Sequence, residues 1–238
     1  MSALKYGRLP GAVPVGIQSL PHYVAGALPK APASVPPPVL AEWGMLGNDE
    51  FGDCGVAGIE HVFMAVAADV GATEKFPTDK QTVSYYLKYT GGQDSGVVLS
   101  DFLAYVRKHG YYGHKLAAFA PVGVHDVPTL QFALWAYDAV YCGITVTEQM
   151  MADFQAGRPW TMESLNSPVD GGHCVPIVGY DSQYLYIVTW GAIQKIAYSA
   201  WHHMSEEAWA LILGEHANGD GHGLSLKALQ ADLDKVAK

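Results

Sequence analysis

The sequence has few charged side chains and no long apolar run. Charged residues make up 16% of its 238 residues, below the roughly 25% of an ordinary soluble domain, which favours extensive burial. Acidic residues outnumber basic ones by 23 to 14, giving a net charge of −9, which argues against a nucleic-acid partner or an anionic membrane surface. No apolar run reaches the roughly 18 residues of a membrane span, and the N-terminal residues lack the apolar stretch of a secretory signal. We therefore expect a soluble protein with no signal peptide and no membrane partner.

Cysteine is also scarce, with three residues at positions 54, 142 and 174. An odd number cannot all pair within one chain, so at least one thiol is free and a disulfide framework is excluded. Cys142 lies in the apolar run 139–146 and is typical of a buried strand residue. Cys54 lies among glycine and polar residues, which makes it a candidate for chemistry.

Metal-binding patterns are weak. His202-His203 and the group His216, Asp220 and His222 have neither the helical spacing nor the cysteine pair that structural zinc prefers. No phosphate-binding loop or dinucleotide fingerprint is present. We expect no metal and no cofactor.

Proline is concentrated at the beginning of the chain, with eight of its 14 residues in 1–38. Proline fixes φ and removes a hydrogen-bond donor, so this segment is predicted to be an extended arm. It is expected to lie along its own domain or along a neighbouring subunit, and a flexible tail is the alternative. The sequence thus divides into an arm, 1–38, and a domain, 39–238.

Helical patterns dominate the first half of that domain and strand patterns the second, which predicts an α+β fold. Five residues are positioned to begin helices: Asp53, Thr78, Ser100, Ser205 and Ser225. A further helix is expected over 128–138, and strands over 139–146, 173–181, 184–191 and 192–202.

Cys54 is predicted to open the first long helix. A helix N-terminus stabilises negative charge and so favours a thiolate nucleophile. Gly52 and Gly55 allow a substrate backbone to approach closely. Asn48, upstream of the cysteine, has an amide suited to stabilising an oxyanion.

His173 follows Gly171-Gly172 at the start of an apolar strand. A histidine at a strand end is well placed to face a cleft and to act as a general base. The pair Cys54 and His173 therefore predicts covalent acyl chemistry.

The order of these motifs resembles that of the papain and cathepsin family of cysteine peptidases. The similarity covers roughly residues 32–215, and some of it points to papain-like proteins of phages and bacteria. It implies a two-lobed fold with a helical half and an antiparallel sheet half, and a peptide or amide substrate. It implies that Cys54 and His173 are catalytic with Asn48, and that the cleft contains Gly52, Gly55, Gly172 and Trp190. The segments that carry it are Pro32-Ala33-Ser34-Val35, Asn48 with 52–55, Gly91-Gly92, 102–106, 130–146, 172–180 and Thr189-Trp190-Gly191.

The sequence departs from that family where the histidine is oriented. The family's asparagine falls at Val188, which cannot hydrogen-bond an imidazole. Asp170 is the first replacement to consider and Thr189 the second, with Asn166 and Asp181 as further alternatives. The departure leaves a rival hypothesis open: a catalytically impaired papain-fold protein that serves as a structural or binding component of an assembly such as a virion. Its arm, 1–38, would then contact a protein partner or a second copy, and its location would be virion-associated rather than cytoplasmic.

Overall fold

A helical half precedes a sheet half in the computed structural model, which describes residues 4–72, 75–214 and 222–236. Two short strands, β1 (Arg8–Leu9) and β2 (Val97–Val98), pair with each other in parallel. The α-helices of the described residues are α1 (Cys54–Asp69), α2 (Asp79–Tyr89), α3 (Leu99–His109), α4 (Val127–Tyr137), α5 (Glu148–Gln155), α6 (Tyr198–Met204) and α7 (Leu226–Val236), and Leu20–Tyr23 and Glu163–Leu165 form short 3-10 helices. The remaining strands are β3 (Leu116–Pro121), β4 (Val140–Thr147), β5 (Val169–Tyr180), β6 (Tyr184–Thr189), β7 (Ala192–Ala197) and β8 (Ser205–Leu213). The α+β prediction is confirmed.

The central helix α1 links the two halves. Its residues from Cys54 to Ala67 are buried, because it lies between α2 on one side and β5 of the sheet on the other. Such an all-round apolar helix belongs in the core. Its N-terminus, and therefore Cys54, lies against β5 near His173 and Cys174.

The sheet is antiparallel, with strand order β3-β8-β4-β5-β6-β7. In the β4–β5 register His173 lies opposite Ile144, and Gly172 lies opposite Thr145. This pairing fixes His173 in the strand that packs against α1.

Three elements differ from the sequence predictions, one in type and two in their bounds. Ser205–Leu213 forms strand β8, where the sequence predicts a helix that begins at Ser205. Because β8 lies between β3 and β4, its last six residues are buried and show no alternation that would identify a strand. Ser100 lies inside α3, whose N-cap is Val98, and the predicted strand 192–202 ends at Ala197, where α6 follows.

The described part of the arm lies on its own domain. Arg8 and Leu9 pair with β2, and Val35 exchanges backbone hydrogen bonds with Tyr180 of 2.9 and 2.8 Å. The Tyr23 hydroxyl donates to Asp232 of α7 at 3.0 Å. Association with a second chain through residues 1–38 stays a prediction.

None of the described helices is both long and apolar enough to cross a bilayer.

Candidate active site

Cys54 is the first residue of α1, and its side chain is buried, with 1% of the residue exposed. The neighbouring Gly55 is needed for close packing, because a Cβ there would lie 2.3 Å from a methyl carbon of Val97 in β2. Tyr141 of β4 donates its hydroxyl to the Gly55 carbonyl at 2.8 Å. These contacts anchor the start of α1 to both halves of the molecule.

His173 lies in β5 and is also 1% exposed. Its Nε2 is 2.8 Å from the hydroxyl oxygen of Thr189, on the adjacent strand β6. Its Nδ1 is buried and has no hydrogen-bond partner among the described residues. The ring is therefore held at Nε2, while Nδ1 has no bonded partner in the described part of the chain, the Cys54 thiol included. Its second nitrogen is left uncommitted beside the cavity.

Trp190 covers one face of that imidazole. The two rings are stacked, with centroids 4.3 Å apart and planes at 14°. Trp190 and Gly191 form the two-residue turn between β6 and β7, with φ of 42° and 75°. A turn with two positive φ values suits the twist of a hairpin, although a bulky residue there costs about 1–3 kcal/mol.

Cys54 and His173 line the same small cavity between α1 and the sheet. Its volume is about 10 Å³, room for at most about one water molecule. Asn48, also buried, borders it. The lining residues are Met45, Asn48, Cys54, Ala57, Gly58, His61, His173, Cys174, Val188, Thr189 and Trp190.

Asn48 is turned toward its own loop. Its side-chain amide donates to the Phe51 carbonyl at 3.1 Å, and it lies close enough to the Asp53 carboxyl to act on its pKa. The amide thus borders the cavity of Cys54 while it also supports the turn that leads into α1.

The two residues considered for orienting His173 occupy different places. Thr189 contacts the ring, as described above. Asp170 does not: its carboxylate accepts a 2.7 Å hydrogen bond from the Tyr6 hydroxyl at the surface, and neither imidazole nitrogen is bonded to it. Proximity along β5 does not bring Asp170 to the ring, so the first choice made from the sequence is corrected.

The arm covers this site. The Lys5 amide donates to the Asn48 carbonyl at 3.1 Å, and the Val97 amide donates to the Gly7 carbonyl at 2.7 Å. On the sheet side the Trp190 indole N–H donates to the Lys5 carbonyl at 3.3 Å. The backbone of residues 5–9 therefore runs through the cleft between the two halves; we call it the cleft segment.

Glycines on both walls make room for the cleft segment. A Cβ at Gly52 would lie 2.6 Å from the Tyr6 carbonyl oxygen, and one at Gly172 would lie 2.6 Å from the Arg8 carbonyl oxygen. The Tyr6 ring meets the edge of His173, with ring centroids 5.8 Å apart. Of the three glycines expected in the cleft, Gly52 and Gly172 meet the arm, whereas Gly55 packs against Val97.

Burial sets the protonation of the pair. It raises the pKa of the Cys54 thiol to about 12, an effect that Asp53 reinforces and that the backbone amides of Cys174, Gly7 and Gly55 oppose. It lowers the pKa of His173 to about 3, with a smaller contribution from His61. At neutral pH the covered site therefore holds a neutral thiol and a neutral imidazole, not an ion pair.

Asp53, at the N-cap of α1, is fully buried. Burial raises the pKa of its carboxyl to about 8, and the Asn48 amide acts in the opposite direction. Below about pH 8 this carboxyl is mostly protonated, so the negative charge by which Asp53 raises the pKa of Cys54 is largely absent at neutral pH.

The described residues contain no group of three or more histidine, cysteine, aspartate or glutamate side chains that could hold an ion. His216 and Asp220 lie outside the described residues, and His222 packs its ring against Trp135.

His61 lies seven residues after Cys54, on the same face of α1, and the sequence favours a core histidine with satisfied hydrogen bonds over a catalytic partner. In the structure it borders the cavity, and its Nε2 contacts the Trp43 carbonyl at 3.0 Å. Sequence reasoning missed one feature of this site. The contact of Gly7 with the site has no local signal, because it joins segments far apart in the chain.

Comparisons with known proteins identify the architecture. No family model and no curated protein sequence matches this chain. Xylellain, a cysteine protease from Xylella fastidiosa, superposes with a TM-score of 0.67 at 15% identity, over 89% of this chain and 98% of that one. The proform of the ragweed pollen cysteine protease Amb a 11 gives 0.59 at 16% identity, over 86% and 72%. Procathepsin L 3 from the larval midgut of Tenebrio molitor gives 0.59 at 14% identity, over 88% and 76%. The chain therefore has the papain-like fold, in a form that has diverged far in sequence.

Proposed function

We propose that the protein is a cysteine hydrolase that cleaves peptide or amide bonds, with Cys54 as nucleophile and His173 as general base. One observation carries the proposal: a thiol at a helix N-terminus and an imidazole with a free Nδ1 line one cavity between the two halves. Helix-end electrostatics, a base and an orienting group are the requirements of an activated cysteine.

In the proposed reaction, Nδ1 of His173 accepts the Cys54 proton and the thiolate attacks the substrate's acyl carbon. The backbone amide of Cys54 and the side-chain amide of Asn48 stabilise the oxyanion. The imidazolium returns its proton to the leaving amine, and the acyl group remains on the sulfur. Water, deprotonated by His173, then releases the acid and restores the thiol.

Thr189 has the role of positioning the imidazole. If Nε2–H donates to the Thr189 hydroxyl, the lone pair of Nδ1 is left for the thiol proton. A hydroxyl also donates, so it selects this tautomer less strictly than a carboxamide oxygen does.

A substrate reaches Cys54 only after the cleft segment has moved away, because the 10 Å³ cavity admits no peptide. Rehydration then reduces the burial that separates the two pKa values, and a thiolate–imidazolium pair becomes accessible. The activity is therefore expected in the uncovered form.

The test uses the full-length chain with Gly7→Ala, a substitution that the cleft segment cannot accommodate beside Gly52. An epoxysuccinyl peptide should alkylate Cys54, and a mixture of fluorogenic peptide amides should be hydrolysed. Adding Cys54→Ala should abolish both reactions, whereas Cys142→Ala should preserve them, since Cys142 lies in β4 away from the cavity. Alkylation of Cys54 no faster than of Cys142, with no hydrolysis, would refute the proposal.

The second candidate is a binding protein without catalytic activity that forms part of an assembly such as a virion. The observation that favours it is the hydrophobic Val188, which lines the cavity together with His173. It predicts that association with a partner or a second copy survives Cys54→Ala and is lost when the arm is altered. Sedimentation of both variants against the unmodified chain distinguishes this candidate from the hydrolase.

A further inference from the structure

Arg8 of the cleft segment carries the most deeply buried ion pair that this site contains within the described residues. Its side chain is 4% exposed, although arginine side chains are rarely buried without paired charges. The guanidinium contacts Glu206 through Nη1, and its Nε donates to Glu207 at 2.9 Å. Both glutamates belong to β8, so Arg8 joins the arm to the sheet half across the cleft.

The two carboxylates are held by the sheet as well as by Arg8. Thr145 of β4 donates its hydroxyl to the second oxygen of Glu206, and the Trp209 indole N–H donates to the second oxygen of Glu207 at 2.9 Å. Each glutamate therefore keeps a fixed partner when Arg8 leaves. A site whose acceptors are held in place before the ligand arrives loses less entropy on binding.

Gly143 provides the space for the guanidinium. A Cβ at this position would lie 2.6 Å from the Arg8 Nε and 2.8 Å from Cγ of Glu207. The position next to Glu207 in the β4–β8 register thus has no side chain. The result is a recess with two carboxylates that accommodates a planar cation.

We propose that this recess, formed by Glu206, Glu207 and Gly143, is the subsite that binds an arginine or lysine side chain of the substrate. The inference rests on the proposed hydrolase function. The Arg8 side chain occupies the recess while the Arg8 backbone lies in the cleft beside Gly172. A substrate that passes Cys54 in the same cleft can place a cationic side chain in the same recess.

Departure of the arm leaves two neighbouring carboxylates without a cation. Like charges that are partly withdrawn from water repel each other and favour a cationic ligand. Glu207 is the better shielded of the pair, with 11% side-chain exposure against 42% for Glu206. We therefore expect Glu207 to contribute more to selectivity.

The experiment measures binding without turnover. The full-length Gly7→Ala/Cys54→Ala chain is titrated into fluorescein-labelled peptides of one sequence that carry arginine, lysine, citrulline or leucine at each of three successive positions. Citrulline keeps the shape of arginine and lacks its charge. At one position arginine should bind about tenfold to a hundredfold more tightly than citrulline, the ratio expected for hydrogen bonds between charged groups.

Variants test whether Glu207 causes the preference for arginine over citrulline. Glu207→Gln in the same background should reduce the arginine-to-citrulline ratio to below about threefold and leave leucine peptides unaffected. Glu42→Gln, at an exposed position outside the cleft, is the matched control and should keep the full ratio. Arg8→Ala/Cys54→Ala empties the recess without a change at residue 7 and provides a second background.

Equal binding of arginine and citrulline peptides at every position in both backgrounds would overturn the inference, and so would a preference that persists in Glu207→Gln. A failure of the Gly7→Ala chain to hydrolyse any peptide would contradict the proposed function instead. Because binding is measured with Cys54 removed, these two failures are distinguishable.

Discussion

Gly7→Ala should uncover Cys54, and the structure specifies why. A methyl group at residue 7 would lie 1.7 Å from the Gly52 carbonyl oxygen and 2.8 Å from its Cα, where ordinary contacts are 3.4–4 Å. Both are backbone atoms of the turn that leads into α1, so no side-chain rotation relieves the overlap. The cleft segment must leave its place.

The expected effect on Cys54 follows from its pKa. In the covered state burial holds the thiol pKa at about 12, whereas an ordinary cysteine thiol has a pKa of about 8.5. At pH 7.5 the thiolate fraction would rise roughly a thousandfold on uncovering, before any help from His173. We expect alkylation of Cys54 by iodoacetamide to accelerate at least about a hundredfold.

The assay is the second-order alkylation rate of each cysteine, followed by mass spectrometry of its peptide. Val15→Ala is the matched control, since Val15 lies in the same arm and is 96% exposed; it should label like the unmodified chain. Cys142 should remain slow in every variant because it is fully buried. A folded Gly7→Ala chain whose Cys54 reacts at the unmodified rate would refute the argument that the arm controls the thiol.

Three further predictions concern the surrounding residues. In the Gly7→Ala background, Thr189→Val should lower kcat by roughly tenfold to a hundredfold at constant KM, because it removes the hydroxyl that contacts His173. Thr189→Ser keeps the hydroxyl and should retain activity. Equal kcat in both variants would contradict this role. Asp53 has a pKa of about 8 in the folded chain, whereas an ordinary aspartate has a pKa of about 3.9. Between these pH values the native state holds a proton that the unfolded state has lost. The free energy of unfolding therefore falls as pH rises through this range, by up to about 1.4 kcal/mol per pH unit. Asp53→Asn should therefore flatten the decline of the urea midpoint from pH 5 to 7.5, and an unchanged slope would contradict the assignment. Trp209→Phe removes the donor that holds Glu207 and should reduce the arginine-to-citrulline binding ratio about threefold to tenfold, with leucine peptides as the internal control.

Local patterns in the sequence were sufficient for the elements that carry the proposed chemistry. The apolar run after Asp53 predicts the helix α1, and Thr78 does form a capping box with Gln81 at the start of α2. Glycine before His173 marks a place where a backbone passes closely, and the structure brings the Arg8 carbonyl there. Such signals are encoded within a few residues, so they need no knowledge of the tertiary fold.

Features that depend on contacts between strands could not be predicted from local sequence patterns. Asp170 is close to His173 in sequence, but its carboxylate contacts the Tyr6 hydroxyl, whereas Thr189 reaches the ring from the next strand. The course of the arm likewise depends on contacts such as that of Arg8 with Glu207, 199 residues away. Proline content predicts an extended arm, but only those distant partners determine where it lies.

For the proposed hydrolase, the position of Gly7 explains how the chain lies across Cys54 without being cut. Attack requires a carbonyl carbon in front of the sulfur, whereas the group of Gly7 that faces Cys54 is its backbone amide, and its carbonyl is turned toward the Val97 amide at 2.7 Å. The cleft segment runs parallel to β2. A chain in the opposite direction would exchange the places of N–H and C=O along the cleft. The same glycine-lined path can therefore hold the arm as an uncut occupant and receive a substrate that runs the other way.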